Sequence, residues 1–332
     1  MAEGFRYHQG RPSDDEVVAG IQSGVVAFDA NVLLNFYEAD PKTRRKRVEL
    51  LGMLGDSLFI PFQVKEEFHR RRKESARSVS KEYAALRTAV AELKKVGAAF
   101  GRVNKATSKS RDPVSVSKAR NVITECIHDL LGQIENLERE DPHIVDLAED
   151  PVLAGLVSVF EGHVAEIPSA RKIAKRVREF VEIRVPLGIP PGFRDVTKGD
   201  EAQAAGDYLI WSELIGCAKS RQVDLVFVTD DLKSDWWVEG SRENPTAAHP
   251  SLIAEFGRET AGRRYFQVTA NEFFARAVRA LGDPPVDRTS IDMSNTDPYE
   301  GEFEDGPTSP GLIASVLDDS LYMEISRSEP PF

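Results

Sequence analysis

Residues 223–237 read VDLVFVTDDLKSDWW, and this stretch decides the fold class. The apolar run at 225–228 predicts a buried strand, which Thr229, Asp230 and Asp231 follow directly. Two acids and a hydroxyl are more polar groups than a turn requires. In an open parallel sheet, ligands bind at the carboxyl ends of the strands. The stretch therefore predicts a functional site at the edge of a parallel sheet.

Three other acids occupy equivalent positions along the chain. Asp29 closes the run VVAFD, Glu67 follows SLFIPFQVKEE, and Asp207 opens GDYLIWSELI. Together with Asp231 they would meet at one edge of the sheet, where close carboxylates repel each other unless cations lie between them. The pattern predicts a Mg²⁺ or Mn²⁺ site that hydrolyses phosphodiester bonds.

Each acid also has a structural interpretation, and both remain open at the level of sequence. Asp29 and Asp207 could serve as N-caps of the helices that follow them. Glu67 could be an exposed residue that forms an ion pair with Arg70 or Arg71 one turn further along its helix.

Strands that alternate with helices predict parallel pairing through right-handed crossovers. The expected fold is α/β, a three-layer α/β/α sandwich with a mostly parallel central sheet of four or five strands. A single domain over 1–282 has its core at about 14–75 and 185–282, with a large helical insertion at about 76–184. One long helix is predicted over 63–96.

Charge is unevenly distributed along the 332 residues, although the net charge of −11 argues against a nucleic-acid partner at first sight. Residues 65–120 contain 16 Lys or Arg against 6 Asp or Glu, whereas 283–332 contain 2 against 12. The first segment suits a phosphate backbone. The second has a composition rich in Pro, Ser, Asp and Glu and is expected to be a disordered acidic tail.

Composition also bears on location. No apolar run approaches the roughly 20 residues of a membrane span. The first residues, MAEGFRYHQGRPSDDE, lack the character of a signal peptide, and two cysteines are too few for a disulfide framework. These features predict a cytoplasmic protein with no membrane partner.

The segments FDANVLL, PFQVKEEF, GDYLIW and FVTDDLKSDWW resemble the four acidic motifs of the PIN nuclease family, in particular a long bacterial PIN-like branch. The resemblance extends from about Val25 to Phe274. It implies two-metal hydrolysis of phosphodiesters, with ions about 3.5–4 Å apart. The implied metal ligands are Asp29, Glu67, Asp207 and Asp231, with Asp230 as the alternative fourth acid and Asn31 and Thr229 in support.

Residues around the acids would contact the substrate. Lys233 could hold a phosphate or form a salt bridge with Asp231 or Asp235. Trp236 could stack on a base or pack in the core, as could Trp237. The basic residues after Glu67 could bind phosphates or form a solvated helix face; they are Arg70, Arg71, Arg72, Lys73 and Arg77.

The expected function is a Mg²⁺- or Mn²⁺-dependent nuclease, with an endoribonuclease ahead of a structure-specific or single-strand DNA nuclease. A PIN-like module that binds nucleic acid or a partner without cutting it is the alternative outside the enzymes. A toxin or phage-defence role would be compatible with this chemistry. An inhibitor or co-effector protein could then accompany the chain.

Overall fold

The computed structural model describes residues 11–106, 113–194, 200–238 and 247–284. Its sheet has four parallel strands in the order β2-β1-β3-β4. The strands are β1 (Val25–Phe28), β2 (Leu58–Phe59), β3 (Leu225–Val228) and β4 (Tyr265–Val268). The expectation of an α/β fold with a parallel sheet of four or five strands is confirmed.

Helices occupy most of the remaining described chain. They are α1 (Asp14–Ser23), α2 (Ala30–Leu34), α3 (Pro41–Gly52), α4 (Phe62–Ser75), α5 (Ser78–Ala106), α6 (Pro113–Glu140), α7 (Pro151–Phe160), α8 (Ala170–Glu179), α9 (Glu201–Ala204), α10 (Gly206–Arg221), α11 (Pro250–Glu259) and α12 (Ala270–Leu281). A π-helical turn, Phe180–Arg184, follows α8.

Both faces of the sheet are covered, which explains why β1, β2 and β3 are continuously apolar. Successive strand residues point to opposite faces. On β3, Val226 faces α1, where it approaches Gly20, and Phe227 packs at a tilt against the ring of Trp236 with centroids 5.3 Å apart. Helices α1, α3 and α12 pack together, whereas α4, α8 and α11 each pack on α10.

The single long helix predicted over 63–96 is wrong, because the chain forms α4 and α5 with a turn between them. Ala76 is buried at this turn, and the Arg77 amide bonds the Glu74 carbonyl. The Ser78 hydroxyl donates to the Ser75 carbonyl at 2.7 Å. Serine side chains that bond to nearby backbone compete with helix continuation, so these serines explain the break.

Helices α5 and α6 form an antiparallel hairpin that we call the helical hairpin (Ser78–Glu140). Val90, Ile127 and Ile134 are buried in a small cluster of their own, separate from the main core. The Tyr83 hydroxyl bonds Asp141 at 2.8 Å and closes the base of the hairpin.

The remainder of the predicted insertion joins the main core instead. Leu156, Phe160 and Phe180 are all buried there with the residues around the sheet. The chain at Ile60 also pairs in parallel with Val164, which extends the edge of the sheet beyond β2. Among the described residues of 76–184, the helical hairpin is therefore the part with a hydrophobic cluster of its own.

The predicted tail lies outside the described residues from position 285 onward. Across the described ranges, none of the helices combines the length and the apolar character needed to cross a bilayer.

Because the helical hairpin packs on itself, we expect the core to fold without it. Replacement of residues 79–139 by a short Gly-Ser linker should reduce the far-UV helical signal and preserve the near-UV circular dichroism of the core tryptophans. Loss of that near-UV signal would show that the hairpin is part of the cooperative core.

Candidate active site

Asp29 lies at the end of β1 and forms three hydrogen bonds. Its Oδ1 accepts from the Ala30 amide at 2.7 Å, at the start of α2. Its Oδ2 accepts from the Thr229 hydroxyl at 2.7 Å and from Asn31 Nδ2 at 2.9 Å. Since Phe28 pairs with Val228 in register, the following residues, Asp29 and Thr229, are neighbours across the sheet edge. Asp29 therefore caps α2 and also faces the site.

The two acids after β3 diverge. The Asp231 amide donates to the Thr229 hydroxyl at 3.1 Å, and its side chain enters the cleft described below. The Asp230 carboxylate instead accepts from Asn35 Nδ2 at 3.1 Å and from the Ala270 amide at 2.8 Å, at the start of α12. The geometry favours Asp231 over Asp230 as the fourth acid.

Helices supply the other two acids. Glu67 lies on α4 and forms an ion pair with Arg71 at 2.8 Å, one of the partners considered from the sequence. Asp207 lies in the first turn of α10, where its Oδ2 accepts from Trp236 Nε1 at 3.3 Å.

All four acids line one cleft of about 490 Å³. We call it the acid cleft. Its lining also includes Asn31, Gln63, Arg70, Arg71, Ile173, Asp200, Ala202, Gln203, Gly206, Leu209 and Lys233. Side chains up to about two hundred positions apart in sequence thus converge on one concave surface.

Lys233 bridges two acids inside the acid cleft. Its Nζ lies 2.7 Å from Asp231 Oδ2 and 3.2 Å from Asp207 Oδ2. The salt bridge with Asp231 that the sequence left open is present. The ammonium group separates two carboxylates that would otherwise repel each other.

A family model described as a PIN-like domain matches residues 25–252, a segment that contains the four acids. The chain belongs to the PIN-like family. Comparisons with curated proteins and with solved structures gave no significant match. PIN-like domains are commonly nucleases, and the resemblance noted from the four motifs is confirmed.

The donor chemistry of this PIN-like cleft suits a hard divalent cation, because Mg²⁺ and Mn²⁺ prefer carboxylate oxygens. In the positions shown here, however, no group of three or more His, Cys, Asp or Glu in the described ranges is arranged to hold one ion. In the same arrangement, Lys233 lies between Asp207 and Asp231, and Arg71 binds Glu67.

Burial and like charge act together on Asp29. Burial raises the pKa of Asp29 to about 7, against a lowering effect of the Thr229 hydrogen bond. The negative charges of Asp207, Glu67 and Asp231 raise this pKa further. Without a bound cation, the site thus favours a proton on its most buried acid.

The Pro- and Gly-rich composition of VPLGIPPGFRD predicts a loop, but the sequence did not indicate that this loop contacts Asp207. Gly192 has a φ of +86°, and a Cβ built there would lie 3.2 Å from Asp207 Cβ. Its amide donates to Asp235 Oδ2 at 2.8 Å, and Asp235 is fully buried. The adjacent Pro-Gly pair and the acid of the DWW triplet are the signals that could have indicated this contact.

Glu213 is a second supporting residue that the sequence did not reveal. It lies on α10, and its Oε2 accepts the Phe62 amide at 2.5 Å, at the first residue of α4. Pro61 offers no side-chain cap there, so Glu213 caps α4 from a neighbouring helix. Burial raises the pKa of Glu213 to about 7. The contact links the helix of Glu67 to the helix of Asp207.

Of the five basic residues assigned to nucleic acid, Arg70 and Arg71 line the acid cleft. Lys73 and Arg77 are exposed further along the chain and do not line it. Arg72 has a different role: it binds Asp150 at 2.5 Å, with only 18% of its side chain exposed. Asp150 also accepts from the Tyr37 hydroxyl at 2.9 Å. The assignment of Arg72 to nucleic acid is therefore wrong, because it joins α4 to the start of α7.

The base-stacking interpretation of Trp236 is also wrong, because a buried ring is not accessible to a base. Trp236 and Trp237 are both buried, which is the core-packing alternative. The Trp236 ring packs edge-on against Trp211 with centroids 6.2 Å apart. The Trp237 Nε1 donates to the Asp231 carbonyl at 2.8 Å. The two tryptophans therefore hydrogen-bond to acids of the cleft from the core side, Trp236 to Asp207 and Trp237 to Asp231.

The raised pKa values predict a stability that falls with pH in the metal-free protein. Asp29 and Glu213 hold their protons to about pH 7 when folded, against ordinary values of 3.8 and 4.5. Between about pH 4 and 7 the folded state binds more protons, so unfolding becomes easier as pH rises. In EDTA, the melting temperature should fall from pH 5 to pH 8, and less so in Asp29→Asn. The exposed Asp56→Asn serves as control; an unchanged pH dependence in Asp29→Asn would contradict the assignment.

Gly192 offers a test of the support for Asp207. Alanine at a positive φ costs about 1–2 kcal/mol wherever it occurs. Gly262, with a φ of +90° and open space around its Cβ position, is the matched control. Gly192→Ala should lower the free energy of unfolding more than Gly262→Ala, because it also presses on Asp207. Equal losses in urea unfolding would show that the contact is unimportant.

Proposed function

We propose that this chain is a divalent-metal-dependent nuclease that hydrolyses phosphodiester bonds, with RNA as the first candidate substrate. One observation carries the proposal: four acids from β1, α4, α10 and the end of β3 line the same cleft. Membership of the PIN-like family supports it, since such domains are commonly nucleases.

The residues that would hold Mg²⁺ or Mn²⁺ are Asp29, Glu67, Asp207 and Asp231. They supply only oxygen ligands and come from four different elements, which suits an ion that keeps several waters. When bound, such an ion lowers the pKa of a water molecule and neutralises charge on the phosphate.

The hydrogen bonds of the chain fix the position of Asp29. Thr229 and Asn31 both donate to its Oδ2, and the Ala30 amide donates to its Oδ1. These three donors fix the orientation of the Asp29 side chain. Thr229 also accepts the Asp231 amide, so one hydroxyl aligns two acids.

Cationic side chains in the acid cleft would bind the substrate phosphate. Arg70 and Arg71 line the cleft from α4, and guanidinium groups bind phosphate oxygens in a bidentate manner. Lys233 has a flexible stem, and its ammonium could move from the acids to a phosphate once a divalent ion replaces it. RNA and DNA both contain phosphate, so the test uses a strand of each.

The test is hydrolysis of end-labelled single-stranded RNA and DNA of one sequence, with Mg²⁺ or Mn²⁺. EDTA should abolish cleavage and added Mn²⁺ should restore it. Asp29→Asn and Asp207→Asn should each reduce the rate by about 100-fold or more, as expected for loss of a metal ligand.

Asp230→Asn is the matched control, because its carboxylate binds Asn35 and Ala270 outside the acid cleft. It should retain much more activity than Asp231→Asn. Cleavage that persists in the Asp29→Asn, Asp207→Asn double variant would reject the proposed function. Cleavage of DNA alone would replace RNA as the substrate and keep the mechanism.

A further inference from the structure

The helical hairpin buries little of its own apolar surface. Its helices are 29 and 28 residues long, yet among the described residues the cluster between them buries only Val90, Ile127 and Ile134. An amphipathic helix in a protein is stabilised mainly by packing of its apolar face. Five large apolar side chains on these helices are nevertheless between 39% and 63% exposed: Leu86, Leu93, Val96, Val122 and Leu137.

The exposed apolar residues of α5 form one stripe beside its contact with α6. Tyr83 and Val90 pack on the apolar side chains of α6 and mark the direction of that contact. Successive residues of an α-helix are rotated by about 100°. By this geometry Leu86, Leu93 and Val96 all lie roughly 50–130° to one side of the contact.

Helix α6 carries a corresponding stripe. Ile127 and Ile134 are buried in the contact with α5. Leu137, Val122 and the exposed Cys126 lie roughly 70–130° from this contact, in the same rotational sense as on α5. Because the two helices are antiparallel, the same rotation leads to the same side of the hairpin. We call this surface the hairpin face (Leu86, Leu93, Val96, Val122, Cys126 and Leu137).

The two helices carry opposite net charge, which indicates what covers the hairpin face. Helix α5 contains six Lys or Arg against two Asp or Glu, whereas α6 contains three against five. Two copies of the hairpin are complementary when α5 of each copy lies on α6 of the other. A two-fold axis parallel to the hairpin produces this arrangement, in which both copies use the same surface.

The apolar residues also meet in this arrangement. Arg87 forms an ion pair with Glu138 within the hairpin, so Leu86 and Leu137 lie at nearly the same height. A two-fold axis along the hairpin preserves height, and Leu86 of one copy therefore meets Leu137 of the other. Helices of this length span about 42 Å, and two adjacent helices are about 20 Å wide. The face of about 800 Å² per copy is that of a standard specific interface.

We propose that the hairpin face is a dimer interface, at which two copies of this chain form an antiparallel four-helix bundle. Bundles of this kind bury the apolar stripes of all four helices in one core. The second hairpin supplies the layer that the first one lacks. None of the residues of the hairpin face lines the acid cleft, so the proposal is independent of the proposed function.

Sedimentation velocity of the full chain over a range of micromolar concentrations tests the dimer. The unmodified protein should sediment with twice the mass of one chain. Leu86→Gln with Leu93→Gln should raise the Kd of the dimer by about 100-fold or more, because each buried leucine is lost twice in a symmetric interface. Both side chains are exposed in the single chain, so the circular dichroism should stay unchanged.

The matched control removes two exposed apolar side chains outside the hairpin. Ile167 and Leu187 are 77% and 70% exposed. Ile167→Gln with Leu187→Gln should leave the Kd of the dimer unchanged. An equal loss of dimer in the control and in the α5 variant would overturn the proposal.

A pair of thiols tests how the two copies are arranged. Val96 on α5 lies within about one helical turn of the height of Cys126 on α6. Val96→Cys should give a covalent dimer under mild oxidation, through the new thiol and Cys126 of the other copy. The same substitution combined with Cys126→Ser should not. A covalent dimer that forms equally well without Cys126 would overturn the placement of α5 on α6.

The remaining outcomes are equally decisive. A chain that sediments as a monomer at every concentration would overturn the proposal and would leave the hairpin face for a different protein. A dimer that the α5 substitutions do not weaken would also overturn it, because the copies would then associate through another surface. Neither result affects the nuclease assignment, since every variant retains the acid cleft. A dimer without nuclease activity would refute the proposed function alone.

Discussion

Repulsion between carboxylates is the constraint on which the rest of this structure depends. Two like charges about 4 Å apart near a protein surface repel by roughly 4 kcal/mol. The chain brings four carboxyl groups to one cleft and reduces their repulsion in two ways. Lys233 places an ammonium between Asp207 and Asp231. Asp29, the most buried of the four, has its pKa raised to about 7 and so tends to keep a proton. A bound divalent cation would neutralise the same carboxylates and would make both forms of compensation unnecessary.

The scaffold keeps the acids from relaxing apart. The in-register pairing of β1 with β3 fixes Asp29 beside Thr229, and a hydrogen bond of 2.7 Å joins them. Behind Asp207, Gly192 approaches so closely that no side chain fits without displacement, and the buried Asp235 holds its amide. Glu213 ties α4 to α10. These supports differ in chemistry, and they connect parts of the fold that lie next to different acids. Repulsion in the cleft is therefore resisted by the packing of the whole domain and not by local hydrogen bonds alone.

Sequence reasoning succeeded where a local pattern determines position. An apolar run followed by an acid places Asp29 at a strand end, because strand ends in a parallel sheet share one edge. It failed where the partner is distant in sequence. The sequence groups Arg72 with the basic residues around it as a phosphate contact, but Asp150, 78 positions away, binds it in the interior. Trp236 offers a base-stacking surface only if exposed, and packing around β3 buries it.

Lys233 lies between two of the acids that the proposed function assigns to the metal. A lysine ammonium and a divalent cation compete for the same oxygens, so a metal that binds Asp207 and Asp231 has to displace Nζ or share the carboxylates with it. Displacement of Nζ breaks the ion pairs of Lys233 with Asp207 and Asp231, and the ammonium then contacts solvent or a phosphate. Substrate would then favour metal binding, because its phosphate gives the released ammonium a new partner. By linkage, the metal would favour substrate to the same extent. Under the proposed function, the lysine in the DDLKSDWW segment would couple the binding of metal and of substrate through one side chain.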